Sequence, residues 1–267
     1  MTLPIEQLTD VLLKVRSERP VVHTITNWVT ANEVASALYA IGARPIMAID
    51  PEEVEEVTSK ADALVLNLGT PSHCRIEAML LAGIRANQKN LPVLFDPVGV
   101  GVSQFRIESS KKILSEIRMT VIRGNRAEIG TLAGQKSFLA GIDAITGPED
   151  LFWAAEDLSQ KTGAIVVASG PEDLIVSADK KAVVANGHPI MGQVTGMGCM
   201  LTAVIGAFTA VERDPMVATT SAVAFFGLAG EHAATLAKGP GTFKSNLFDI
   251  LSSLTPDQMR KGMKIEL

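Results

Sequence analysis

The sequence predicts an α/β fold in which a mostly parallel sheet is covered by helices on both faces. Two observations carry that prediction. Short β-rich apolar runs alternate with longer helical patterns along the chain. The apolar residues are mainly Ala, Val, Leu, Ile and Gly, with aromatics at only 4%, as tightly packed helix-on-sheet layers require.

Ile5–Arg16 reads as the first helix, Val21–Thr26 as a strand, and Asn27–Ile41 as the helix after it. Ile46–Ile49 reads as a strand and Pro51–Thr58 as a short acidic helix. Ala63–Leu68, Pro92–Asp96 and Thr120–Arg123 read as further strands with helices between them. Pro148–Gln160 reads as helix and Ile165–Ala168 as strand. Leu174–Ser177 and Ala182–Asn186 look like a hairpin turning at Asp179-Lys180, which adds antiparallel edge strands. The last third reads as helix at Cys199–Glu212, Pro215–Ala237 and Ser245–Lys261. No linker, repeat or low-complexity segment interrupts this order, so residues 1–267 are expected to form one domain.

Bulk composition narrows the function. A chain of 267 residues can bury about three quarters of the surface its unfolded form exposes, so its core needs neither a disulfide nor a structural metal. A net charge of −5 with no basic block fits nucleic acid poorly. The longest nearly apolar stretches, Cys199–Val211 and Val217–Gly230, fall short of the roughly 20 residues that span a bilayer. No export signal is visible at Met1–Glu6, and Cys74 and Cys199 lie in no metal-binding spacing. A cytoplasmic protein is expected, acting on neither membrane nor nucleic acid.

Several predicted strands end in polar residues or glycine: Asn67-Leu68-Gly69-Thr70, Asp96-Pro97-Val98-Gly99, Arg123-Gly124-Asn125 and Ser169-Gly170. Such residues end strands in any case, but open α/β sheets bind ligands at the carboxyl ends of their strands. Four such ends together point to a site built from several loops.

Gly196-Met197-Gly198-Cys199 opens an apolar helix. Two glycines let the backbone turn tightly and gather N–H groups at the positive end of the helix dipole, where anions bind. An ordinary turn before a packed helix would look the same. No Walker loop and no complete dinucleotide fingerprint is present, since Gly99-Val100-Gly101 lacks its third glycine. Cys199, at that helix start, is either a reactive thiol of lowered pKa or a buried inert one. Asn125-Arg126-Ala127-Glu128 places Glu128 in the first turn of a helix. There it can orient water on Mg²⁺, with Asp96 assisting, or it can simply complete a capping box with Asn125. Asn27 reads as a helix cap or a pocket residue, and Met47, by pattern alone, as a core methionine.

In order along nearly the whole chain, His23-Thr24-Ile25-Thr26-Asn27 with Asn32, Gly42-Ala43-x-Pro45-Ile46-Met47, the first three strand ends above, Glu128 and Gly196–Cys199 resemble the hydroxyethylthiazole kinase family. The resemblance implies a ribokinase-like three-layer fold. It implies ATP-dependent phosphorylation of 4-methyl-5-(2-hydroxyethyl)thiazole in thiamine synthesis or salvage, and a homotrimer with active sites between subunits. By resemblance, Met47, Gly196 and Asn27 belong to the thiazole pocket. Arg123 and Ser169 contact ATP, and Asp96 and Glu128 serve Mg²⁺ and the phosphates. Gly196, Met197, Gly198 and Cys199 form the anion hole, with Cys199 beside the substrate hydroxyl. Cys199 stands where most ribokinase-like kinases carry Asp, as is typical of thiazole kinases. Ala35-Ser36-Ala37 and Arg44 depart from the usual substrate wall.

Overall fold

The computed structural model describes residues 5–134 and 148–266. Its elements begin with α1 (Ile5–Glu18), β1 (Val21–Ile25), α2 (Ala31–Ala40), β2 (Arg44–Ile46), α3 (Val54–Ser59) and β3 (Ala63–Asn67). They continue with α4 (His73–Gln88), β4 (Val93–Asp96), α5 (Gln104–Glu116), β5 (Val121–Asn125), α6 (Arg126–Leu132), α7 (Pro148–Thr162) and β6 (Ile165–Ser169). The last are β7 (Asp173–Val176), β8 (Lys181–Val184), α8 (Met197–Val211), α9 (Pro215–Leu236), α10 (Pro240–Ser253), α11 (Pro256–Gly262) and β9 (Ile265–Glu266).

Nine strands form one sheet in the order β2-β1-β3-β4-β5-β6-β7-β8-β9. β1 to β6 run parallel, and β7, β8 and β9 pair antiparallel at one side. Side chains alternate across each strand, so each strand feeds two cores. In β3, Val65 enters a core shared with α1, α2, α8, α9 and α10, whereas Leu64 and Leu66 enter one shared with α4, α5, α6 and α7. α8 and α9 are apolar on almost every side because the sheet and other helices cover them. Gly206 brings α8 close to the sheet, since a Cβ there would lie 2.8 Å from Val65 Cγ2. The strand order reverses between β1 and β3, and the crevice at that reversal is where such sheets bind ligands.

Most predicted elements are present, with four corrections. The strand expected at Ile46–Ile49 lies at Arg44–Ile46, an edge strand paired only with β1. Residue 48 has left the ladder, and its carbonyl meets His23 Nε2 at 2.9 Å. The helix expected from Asn27 starts at Ala31, because Asn27 Oδ1 accepts the N–H groups of Val29 and Thr30 and holds a turn there. The acidic helix occupies Val54–Ser59 rather than Pro51–Thr58. The helix expected at Ser245–Lys261 is two helices, broken where Thr255 and Gln258 form a capping box across Pro256. The predicted hairpin exists, but β9 pairs with β8 and takes the edge.

Candidate active site

The carboxyl ends of β1, β3, β4, β5 and β6 meet the start of α8. Asn27, after β1, is fixed at one end: its Oδ1 accepts from Val29 N–H at 3.0 Å and Thr30 N–H at 3.0 Å. Its Nδ2 is thereby turned across the sheet reversal to Asn67 Oδ1 at 2.9 Å, with Cys199 Sγ at 3.5 Å. Asn67 Nδ2 donates to Asp96 Oδ2 at 2.8 Å and lies 3.3 Å from Cys199 Sγ. Gly69 is required beside this chain, because a Cβ there would stand 2.6 Å from Asn27 Cβ.

Asp96 is buried. Oδ2 accepts from Asn67 and from the Thr202 hydroxyl at 3.0 Å. Oδ1 has no partner among the described residues. Burial pushes the Asp96 carboxyl up to about 7; the Arg123 charge opposes that rise and the Glu128 charge adds to it.

Cys199 does not have the lowered pKa that a helix N-terminus suggests. Burial raises it, the charge of Asp96 adds to the rise, and hydrogen bonds with Thr30, Asn67 and Asn27 oppose it. The thiol therefore stays protonated near neutral pH. No histidine among the described residues bonds to it. His23 is buried between Thr58 Oγ1 and the Ala48 carbonyl, each at 2.9 Å, and burial lowers its pKa. A nucleophilic cysteine lacks its activating base here.

α8 begins with no side-chain cap, and Gly196, at φ 93°, holds the left-handed conformation that glycine tolerates. The first amides of a helix have no intrahelical acceptor, so those of Met197, Gly198 and Cys199 are left for another partner. A Cβ on Gly196 would approach Thr30 Cγ2 at 2.9 Å, and one on Gly198 would stand 2.1 Å from Arg123 Nη1. The Arg123 guanidinium therefore lies directly against Gly198. Its Nε donates to Ser169 Oγ at 3.0 Å. A guanidinium facing the positive end of a helix is an arrangement that an anion stabilises.

Arg123, Ser169, Met197 and Gly198 border a cavity of about 520 Å³, whose far side includes Leu201, Val223 and Phe226. Asp173 also lines it, accepts from Gly170 N–H at 3.1 Å, and is pushed up to about 6, mainly by burial.

Glu128 forms the capping box. Its Oε2 accepts from Asn125 N–H at 2.8 Å, while Asn125 Oδ1 accepts from Glu128 N–H at 2.9 Å. Oε1 accepts from Gly99 N–H at 2.8 Å, so the structural role weighed for Glu128 is realised. No group of three His, Cys, Asp or Glu residues gathers among the described residues to hold a metal outright. The unpartnered Asp96 Oδ1 and the charge of Glu128 nonetheless suit a cation that keeps most of its waters.

Met47 follows β2 and is half-buried, with Thr24 Oγ1 at 3.0 Å from its sulfur. The structure thus joins Asn27, Arg123, Ser169, Gly198 and Cys199 by direct contacts, and reaches Asp96 through Asn67 and Thr202 and Gly196 through Thr30. Met47 stands one strand away. Sequence reading named Asn67 only as a strand end and missed Thr202 and Asp173. Thr202 lies three residues beyond Cys199 on one helix face, which is a usable signal. Asp173 carries none.

The model of the hydroxyethylthiazole kinase family matches residues 12–257. A hydroxyethylthiazole kinase of Thermoanaerobacter pseudethanolicus is 48% identical, with 96% of this chain and 98% of that protein covered. One from Roseiflexus sp. is 43% identical over 98% and 97%. A solved structure of the hydroxyethylthiazole kinase protein from Pyrococcus horikoshii OT3 superposes with a TM-score of 0.90 at 38% identity, covering 97% of this chain and 98% of that one. At 14% identity and a TM-score of 0.66, a ribokinase-like superfamily protein from Enterococcus faecalis V583 shares the fold over 93% of this chain and 95% of its own. The chain belongs to the hydroxyethylthiazole kinase family.

Proposed function

We propose that this chain acts as one kinase domain and transfers the γ-phosphate of ATP to the primary alcohol of hydroxyethylthiazole, using the residues gathered at the start of α8. The observation that carries this reading is the uncapped α8 amides beside Arg123, at the edge of a cavity of about 520 Å³. That volume lies within the range of small-ligand pockets.

ATP occupies the cavity, with Ser169 and Arg123 on its phosphates. As the phosphoryl group moves, charge spreads over its outer oxygens. The amides of Met197, Gly198 and Cys199 and the Arg123 guanidinium are already aimed at that charge, and such fixed donors lower the barrier. The alcohol lies beside Cys199, its ring against Gly196, Asn27 and Met47. Cys199 is a protonated thiol held by Asn27 and Asn67, so it positions the hydroxyl rather than deprotonating it in advance. A loose transition state tolerates late loss of that proton. Asp96 Oδ1 and Glu128 would hold Mg²⁺ through its waters, and the ion would supply charge neutralisation on the phosphates.

The chain works in the cytoplasm as a homotrimer, with each site completed by a neighbour. No described helix is long and apolar enough to cross a membrane. Trp28, Val29, Tyr39 and Ile46 are exposed apolar residues close in sequence to Asn27 and Met47, a surface that suits a neighbouring subunit. Light scattering should give three times the 28.3 kDa chain mass; a monomer with full activity would refute the shared site.

A coupled ADP-release assay tests the reaction. ADP should appear with the thiazole alcohol at a kcat/KM at least about 100-fold above that with a hydroxymethylpyrimidine or pyridoxal. Equal turnover of all three alcohols, or nucleotide binding without ADP release, would overturn the assignment.

A further inference from the structure

One wall of the cavity is a stretch of chain whose apolar residues, Ile190, Met191 and Val194, pack against the core without being fully buried. Between β8 and α8, residues 185–196 include a short 3-10 turn at Pro189–Gln193 in which no side chain is fully buried. Asn186, Gly187, His188 and Met191 from this stretch line the cavity. Where α9 passes behind it, two glycines permit close approach. A Cβ on Gly227 would stand 2.5 Å from the Asn186 carbonyl oxygen, and one on Gly230 would stand 2.4 Å from Met191 Sδ.

The next residue, Glu231, ties the wall down. Its Oε1 accepts from Gly187 N–H at 3.0 Å and from Asn186 Nδ2 at 3.1 Å. Lys264 Nζ donates to both carboxylate oxygens, at 3.0 and 3.1 Å. Asn186 is itself 4% exposed. Its Oδ1 accepts from Lys264 N–H at 2.8 Å and its Nδ2 also donates to the Gly262 carbonyl at 2.9 Å. Burial works against the charge of Glu231, but Gly187 N–H, Lys264 and Asn186 outweigh it and keep its pKa below the ordinary carboxylate value. Gly187, at φ 148°, is in a conformation open mainly to glycine, so the chain can swivel there once the tie is cut. Glu231 does not line the cavity; it reaches the cavity only through the residues it holds.

We propose that Glu231 is a positioning residue for the nucleotide, fixing through Asn186 and Gly187 the wall against which the triphosphate's nucleoside end rests. The inference depends on the nucleotide occupying this cavity. It accounts for a partly exposed ion pair, Glu231 with Lys264, placed behind a loop rather than within a core. It also makes Lys264, just before the edge strand β9, part of the nucleotide site's support.

Steady-state kinetics of Glu231→Ala, Glu231→Gln and Arg123→Ala, each with ATP and the alcohol varied separately, provide the test. Glu231→Ala should raise the KM for ATP about ten-fold while kcat and the KM for the alcohol stay within about two-fold. Glu231→Gln keeps an acceptor for Asn186 and Gly187 and should stay within about three-fold of the unmodified enzyme in ATP KM. If Glu231→Ala does not fold, Glu231→Asp, one methylene short of the loop, should show the same selective rise. An unchanged ATP KM in the alanine or aspartate variant would overturn the inference, as would a parallel loss in kcat and both KM values. If Arg123→Ala also leaves ATP handling untouched, the assignment of the cavity to the nucleotide fails instead.

Discussion

The two sides of the α8 start are built on different plans. On one side the buried Asn27, Asn67, Asp96 and Thr202 and the half-buried Cys199 form a continuous hydrogen-bonded chain. On the other, Arg123 and Ser169 face an open cavity, one wall of which is a half-buried loop tied by Glu231 to Asn186 and Gly187. The closed side has one geometry available, so it suits placing an alcohol and a phosphoryl group at a fixed separation. The open side suits admitting and releasing a nucleotide. Changes where the two sides meet should cost rate, those in the closed chain should cost less than its order suggests, and those behind the cavity should cost binding.

The largest effect is expected at the junction. Gly198→Ala puts a methyl group where Arg123 Nη1 now lies, so the guanidinium must leave. Turnover should fall by about 100-fold or more in this variant and in Arg123→Ala, the cost typical of losing a fixed donor to transition-state charge. Steady-state kcat measures it, and a Gly198→Ala enzyme with near-normal kcat would break the comparison.

A smaller effect is expected within the closed chain. Cys199→Ala removes a thiol that accepts from two asparagines but is not ionised, so kcat should drop less than about ten-fold. Abolished turnover with ATP affinity intact would instead make Cys199 the base. Cys199→Asp should remain folded and active, because the Asn27 and Asn67 Nδ2 groups already point at the position its carboxylate would take.

The smallest effect sharpens the electrostatics of the same chain. In the metal-free protein the Asp96 carboxyl is pushed up to about 7, whereas its ordinary value is 3.8. The folded chain therefore holds a proton that the unfolded chain has released between those values. Its contribution to stability is complete below the lower value and is lost as pH rises through about 7. Without Mg²⁺, thermal melts from pH 5 to pH 8 should show the unmodified protein falling relative to Asp96→Asn by roughly 5 °C. Parallel curves would mean that Asp96 is ionised in the folded protein.

The sequence made the buried parts of this design legible and left the exposed parts obscure. β1, β3, β4, β5 and β6 are central strands whose apolar runs are long enough to read, and their polar ends marked the site. β2 was misplaced because an edge strand of Arg44-Pro45-Ile46 carries no apolar run; its first and last side chains are exposed. β9, two residues long, gives no pattern at all. The break between α10 and α11 was readable in Thr255-Pro256 with Gln258 three residues on, a capping box inside an otherwise helical stretch. At the site, Gly198 was legible as a glycine turn at a helix start, but its need to be glycine comes from Arg123, 75 positions away in the chain. Glu128 was read both as metal partner and as cap. Its two oxygens on backbone amides show the cap, and any metal role must use what those bonds leave free. The tie from Glu231 to Asn186 and Lys264 joins three distant segments and has no local signature.

The most direct test of the central claim is a crystal structure with the thiazole alcohol and a non-hydrolysable ATP analogue bound together. The γ-phosphate should lie between the Arg123 guanidinium and the amides of Met197, Gly198 and Cys199, with the alcohol oxygen facing it beside Cys199 Sγ. A nucleotide whose terminal phosphate lies away from the α8 start, or an alcohol bound outside the Asn27–Asn67–Cys199 corner, would contradict the account.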